Sequence, residues 1–349
     1  MAYTTINKSS LHMNTKLYTG NGASSHAITG VGFQPDLTWN KNRSSAVNHA
    51  LTDAVRGTPK RLMSNTTDAE INQTTGLLSF NSDGFTVGSD SGYNGNGNSI
   101  CSWNWKANGA GSANTDGSTA TTVSVNTTAG FSIGTYTGTS AVATMGHGLG
   151  AVPGMIIVKN LSSGTRKWAV WHQDLSSASK YLSLNETSAE LNDSAVWNNT
   201  LPTNLVFSSA GSGEVNQGSQ NFVFYAFTGK QGYSKFGSYV GNASTDGTFV
   251  YTGFKPAFVM MKNTSNATSS DWLILDNKRN TFNPESNRLN ANTTSTDTSA
   301  TWVNTDFLSN GFKLKTSDET INESGNTFIY MAFAEAPLVG TNGVTAKAR

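Results

Sequence analysis

The sequence predicts an all-β protein built as three tandem jelly-roll (β-sandwich) modules, and three observations carry that prediction. Short runs such as LTWNK (37–41) alternate apolar and polar side chains, as a half-buried strand requires. Turn residues punctuate these runs: Asp83-Gly84 separates two strands in LLSFNSDGFTVGS, where Gly84 tolerates a positive φ, and Asn96-Gly97 supplies the next turn. The third observation is recurrence. GFQPDLTWNKN (Gly32–Asn42), GAVPGMIIVKN (Gly150–Asn160) and GFKPAFVMMKN (Gly253–Asn263) each carry a proline and end in Lys-Asn. A short strand follows each, then a leucine with an asparagine three residues on: Leu62/Asn65, Leu182/Asn185 and Leu289/Asn292. Each unit closes on a Gly-bearing turn and an aromatic strand, NGNGNSICSWNWKA, NQGSQNFVFYAFTG and NESGNTFIYMAFAEA. The prolines at 35, 153 and 256 are 118 and 103 residues apart, the size of a sandwich domain of about 100 residues.

In order along the chain, residues 1–15 read as a polar N-terminal arm that docks on a neighbour or on the first module. Module 1 spans 16–107; within it HALTDAVRG has the one trace of a helical period, cut short at Gly57 and Pro59. The small polar residues of 108–122, NGAGSANTDGSTATT, read as a linker. Module 2 spans 123–229 and opens on FSIGTYTGT, which matches KFGSYVGNAS at the start of module 3 (230–336). The short junction TGKQGYSK puts modules 2 and 3 in contact within an array strung in series. Residues 337–349 form a C-terminal tail.

Composition narrows the function classes. Charged residues are only 13% of the 349, while 36% hydrophobic and 10% aromatic residues suffice for several cores. With a net charge of +1 and scattered basic residues, nothing steers nucleic acid or an anionic membrane. The lone cysteine, Cys101, excludes an internal disulfide and a cysteine zinc site, and its place in an alternating strand predicts a buried thiol. MAYTTINKSS lacks the basic and apolar regions of a signal peptide, and no apolar run approaches 18 residues, so no membrane insertion is expected.

Candidate sites are few. Asp53/Arg56 and Asp276/Arg279 recur at one place in modules 1 and 3 and are read as ion pairs pinning a loop, since module 2 lacks them and keeps the rest of the pattern. Lys41, Lys159 and Lys262 are read as strand-end lysines that block edge pairing. The five histidines have no metal spacing, and no Gly-x-Ser-x-Gly or repeated carboxylate pair occurs. Glu70 and Glu190 occupy matching turns, with Asp297 the nearest equivalent in module 3. The reading is therefore non-enzymatic, with no cofactor and no metal. Tyr93, Trp197 and Trp302, in loops rich in Asn and Ser, are the expected exposed rings that would stack on a sugar or contact a partner.

Across nearly the whole chain, GFQPDLTWNKNRSS, DAVRG, LMSNTTDAE, FNSDGFTVGS, GHGLGAVPGMIIVKN, KFGSYVGN and YMAFAEAPLVG resemble a family of bacteriophage virion proteins. That family is common in marine phages and usually labelled tail fibre or structural protein. Its repeated module is similar to concanavalin-A-like lectin sandwiches. The resemblance implies a non-enzymatic virion component on the exterior of the particle, on tail or capsid, with other virion proteins and host surface polysaccharide as partners. A homo-oligomer, by analogy a trimer, is the expected assembly. A capsid-decorating or tail-knob protein that binds only virion subunits and a tailspike-like glycan-degrading enzyme are the alternatives. Two departures from the family pattern are Asn40, polar inside a strand, and the missing Asp-x-x-Arg in module 2.

Overall fold

The structure, a computed structural model, describes residues 3–266, 270–340 and 343–347. The remainder of the expected arm and tail, 1–2, 341–342 and 348–349, lies outside the described residues. The fold is all-β, and among the described residues the named strands pair antiparallel, with isolated parallel bridges at Thr119–Met145 and Gly241–Ser324.

The strands fall into three sets that repeat one order. In each inner sheet a tyrosine-bearing strand (Met13–Thr19, Phe131–Thr137, Ser234–Val240) lies beside the closing aromatic strand (Ser99–Trp105, Asn221–Phe227, Thr327–Pro337). Next comes the strand ending in Lys-Asn (Leu37–Asn42, Met155–Asn160, Phe254–Asn263), then a short strand (Ala50–Asp53, Ala169–His172, Leu273–Asp276). A smaller outer sheet covers each: three strands in units 1 and 3, two in unit 2.

Side chains on a strand alternate between faces, and here each face has its own core. One face of every inner sheet points at its own outer sheet, giving three separate apolar clusters. The other faces of all three meet in a single central core, to which unit 1 brings Trp39 and Trp105, unit 2 Ile157 and Phe227, and unit 3 Met260 and Phe333. Trp105 packs edgewise on Phe227, Phe258 and Phe333 at 6.4, 5.8 and 5.9 Å between centroids. The units are thus not strung in series. Each contacts both others around a shared interior, because strands buried on both faces need apolar cover on both sides.

The recurring residues are local backbone devices. Asn42, Asn160 and Asn263 each accept two loop N–H groups through Oδ1. Asn65, Asn185 and Asn292 each accept the N–H of the residue preceding the short strand. Tyr18, Tyr136 and Tyr239 donate their hydroxyls to the carbonyls of Tyr93, Val215 and Ile321. Two residues beyond each tyrosine stands Gly20, Gly138 or Gly241, where a Cβ would sit 2.2 Å from a turn carbonyl.

Several boundaries differ from the sequence reading. The arm joins the sheet from Met13, Ile6 enters the central core, and Thr4 Oγ1 donates to Gln231 O at 2.8 Å. The segment read as a linker contributes the strand Ser112–Asn114 and the first two residues of the strand Thr121–Asn126 to the edge of the unit 2 sheet, since backbone pairing needs no large side chain. HALTDAVRG forms the strand Ala50–Asp53 and a turn, not a helix.

Candidate functional site

The predicted ion pairs lie between units, out of solvent. Arg56 Nε meets Asp53 Oδ2 at 2.5 Å, that oxygen also accepts the Tyr225 hydroxyl of unit 2 at 2.8 Å, and Arg56 Nη1 reaches Glu70 at 3.0 Å. In unit 3, Arg279 Nε meets Asp276 at 2.6 Å, with Trp103 of unit 1 donating to the same oxygen at 3.0 Å. Burial would raise the Asp276 pKa, but Arg279 and the Trp103 N–H overcome it, so the net shift is downward. Asp297 bridges Arg279 and Arg43, which explains why module 3 carries its acid at this turn. In unit 2, His172 and Leu175 fill the two positions. His172 Nδ1 accepts from Asp174 N, so Nε2 carries the proton and donates to Tyr330 O at 3.2 Å; burial lowers its pKa to about 4.

The lysines correct the sequence reading. Lys41, Lys159 and Lys262 are buried and guard no edge. Lys41 donates to Thr294 O of unit 3 at 3.1 Å, Lys159 to Thr67 O of unit 1 at 2.8 Å, and Lys262 to Thr187 O of unit 2 at 2.9 Å. Each threonine lies two residues beyond a recurring asparagine, so one clamp is repeated in cyclic order. A ring N–H completes each junction: His49 to Asn290 O, Trp168 to Met63 O, Trp272 to Ser183 O. Burial lowers Lys41 and Lys159 to about 8 and Lys262 to about 7.

Two of the expected contact rings are also interior. Tyr93 and Trp197 lie in one-turn helices, Ser91–Asn94 and Ser194–Trp197, capped by Asp90 and Asp193. Those turns swing the rings inward: Tyr93 is 0% and Trp197 1% exposed, and the Tyr93 hydroxyl meets Thr52 Oγ1 at 2.8 Å. Trp302 is half-buried beneath Arg288, whose guanidinium carbon lies 4.5 Å from the ring centroid. None is a free stacking platform.

Exposed rings occur instead on the short outer strand Phe249–Tyr251 of unit 3, where Phe249 is 43% and Tyr251 48% exposed. They stand two residues apart and so share a face. Val250 between them is buried against the unit 3 core. Phe249 lies close over Gly311, where a Cβ would come within 3.1 Å of the ring and 2.1 Å of Val250 O. Beside Tyr251 runs a groove of about 350 Å³, lined by Tyr3, Lys230, Gln231, Ser234 and Lys235 together with Thr252 and Gly253. Tyr3 donates to Gly253 O at 2.7 Å; burial and a hydrogen bond with Tyr251 push its pKa to about 12. Lys235 Nζ donates to Tyr251 O at 2.7 Å and sits 5.4 Å from that ring's centroid. The sequence signal that could have found this site was FVYTG itself, which puts bulky rings where the matching outer strands carry Ala27 and Thr29, or Thr144 and Gly146.

Among the described residues, no group of three or more His, Cys, Asp and Glu is placed to hold a metal ion, and no helix is long and apolar enough to cross a membrane. In the central core a void of only about 10 Å³ is lined by apolar and aromatic side chains.

A single family model spans residues 8–337, from just before the first long strand to the last residue of the final one. The chain belongs to the DUF7483 family, a domain of unknown function. All three units fall inside one DUF7483 domain, in keeping with their common core. No curated protein matches the chain.

Proposed function

We propose that this DUF7483 protein is a non-enzymatic adhesion protein of a bacteriophage virion, carried outside the particle as a tail-fibre or appendage component and attaching to host-surface polysaccharide. The observation that carries the reading is the pair Phe249 and Tyr251, exposed on one face beside a groove whose lining includes Gln231 and Ser234. Large apolar rings left in water mark a surface that something covers. Sugar rings present C–H faces that stack on aromatics, and hydroxyls that pair with neutral groups such as Gln231 and Ser234. The virion assignment rests on the sequence resemblance set out above.

The test is retention of the purified protein by host cells and by their extracted surface polysaccharide. A Phe249→Ser/Tyr251→Ser double variant is expected to lose at least 10-fold in apparent affinity, the loss of two stacking contacts of about 1 kcal/mol each, with the unfolding midpoint unchanged. Equal retention of variant and parent would remove the aromatic pair from the binding surface. Loss of polysaccharide mass during incubation would instead establish an enzyme.

A further inference from the structure

The groove beside Tyr251 differs in charge from the other clefts of the molecule. In the cleft between units 1 and 2, Arg56 faces Glu70, and the two are paired at 3.0 Å. In that between units 2 and 3, Lys167 faces Glu186 and Asp271, with a Lys167–Glu186 contact of 2.9 Å. The small cleft at Ser10 holds Lys278 and Glu335 together. The Tyr251 groove alone among these four is walled by two lysines, Lys230 and Lys235, and by no carboxylate. Neither forms a salt bridge among the described residues. Asp174 is the acid that acts on Lys235 from outside the wall.

Both lysines are held in place. The Lys230 stem crosses Gly130, where a Cβ would come within 2.8 Å of its Cε, and its backbone is tied into a tight turn by the N–H to Ser234 O bond at 3.1 Å. Lys235 is pinned by the Tyr251 carbonyl. In a chain whose net charge is +1, two half-buried lysines lining one groove with an exposed ring and no carboxylate give it a local positive charge.

We infer that the groove recognises an acidic polysaccharide: a uronate residue stacks on Tyr251 while its carboxylate accepts from Lys230 and Lys235. The inference rests on the glycan-adhesion reading above and adds the charge class of the sugar.

Binding of the full chain to immobilised polygalacturonate and to uncharged dextran, at 50 mM and 500 mM salt, tests it. Polygalacturonate is expected to bind at least 10-fold more tightly than dextran at low salt, with the advantage collapsing at high salt as the ammonium–carboxylate attraction is screened. Lys230→Gln/Lys235→Gln is expected to remove about 10-fold of that advantage, about threefold for each partly exposed pair, and to leave dextran binding and the unfolding midpoint unchanged. Comparable binding of both polymers, or a double variant that keeps the preference, overturns the acidic-sugar inference and leaves general glycan adhesion standing. Absence of binding to either polymer, with Tyr251→Ser likewise without effect on cell retention, overturns both.

Discussion

Units 1 and 3 share a strand order yet fill their own interiors differently. Facing its outer sheet, the unit 3 inner sheet presents Val259, Met261, Leu275 and Tyr330, all inside the unit's apolar cluster. At the matching register positions unit 1 presents Thr38, Asn40, Thr52 and Ser102, all buried. The neighbouring strand compensates. Gly237 stands opposite Tyr330, whose ring occupies the place a Cβ would take, whereas unit 1 pairs the small Ser102 with Lys16. Unit 2 follows unit 3, with Gly134 opposite Phe224. On the opposite face, toward the common core, all three units keep apolar and aromatic residues at most positions, broken at the junctions by Asp53, His172 and Asp276 and by Lys41, Lys159 and Lys262. Constraint therefore follows the face that must fit two neighbours. The face enclosed within one unit is free to drift as long as strand partners change together.

The comparison can be broken by exchanging residues between units. Met261→Asn, which places the unit 1 residue in unit 3, is expected to cost about 3–5 kcal/mol in a urea titration, since it removes a buried thioether chain and buries an amide. The opposite change of polarity at the matching position, Asn40→Val, is expected to stabilise by about 1 kcal/mol, because neither side-chain polar atom of Asn40 has a hydrogen-bond partner among the described residues. If both variants destabilise equally, unit 1's polar interior is a fitted network and the comparison fails. Gly237→Ala is expected to cost about 1–3 kcal/mol by overpacking, as the new methyl would sit 2.7 Å from the Tyr330 hydroxyl. Lys16→Ala, at the matching place, should stay within about 1 kcal/mol.

A further contrast is one of pH dependence. Folding holds Lys41 at about 8 and Lys262 at about 7, below the 10.5 of a free lysine. Below pH 7 both states carry the charge and its burial cost is fully felt. Above the folded value the native side chain releases its proton while the unfolded one keeps it, so stability rises with pH toward 10.5. Lys262→Met should flatten that rise from about pH 7 and Lys41→Met from about pH 8, as read from urea midpoints between pH 6.5 and 9.5. Equal effects would mean that the two junctions bury their lysines alike.

What could be read from the sequence was what acts locally. The Lys-Asn and Leu…Asn signatures recur because an asparagine side chain fastens the loop next to it, a device confined to a few residues. The Tyr-x-Gly motif was legible in principle in all three units, but Lys16 in place of a glycine hid the first copy. The fate of the three lysines was not legible, because each one's distant acceptor belongs to another unit and strand periodicity says nothing of how units meet. Tyr93 and Trp197 were misplaced for a different reason. Polar flanking residues suggested a solvated loop, while a single aspartate-capped helical turn reverses the direction of the ring.

The cyclic junctions bear on valency. Three separate copies of one unit would assemble and dissociate with concentration by mass action, whereas here the peptide chain keeps every junction intramolecular, so dilution leaves the ring closed. Linkage in one gene also lets the copies diverge, and among the described residues only the third carries the exposed pair of rings. Each chain thus offers one such strip in place of three identical ones, and any gain from multipoint attachment has to come from the number of chains displayed together.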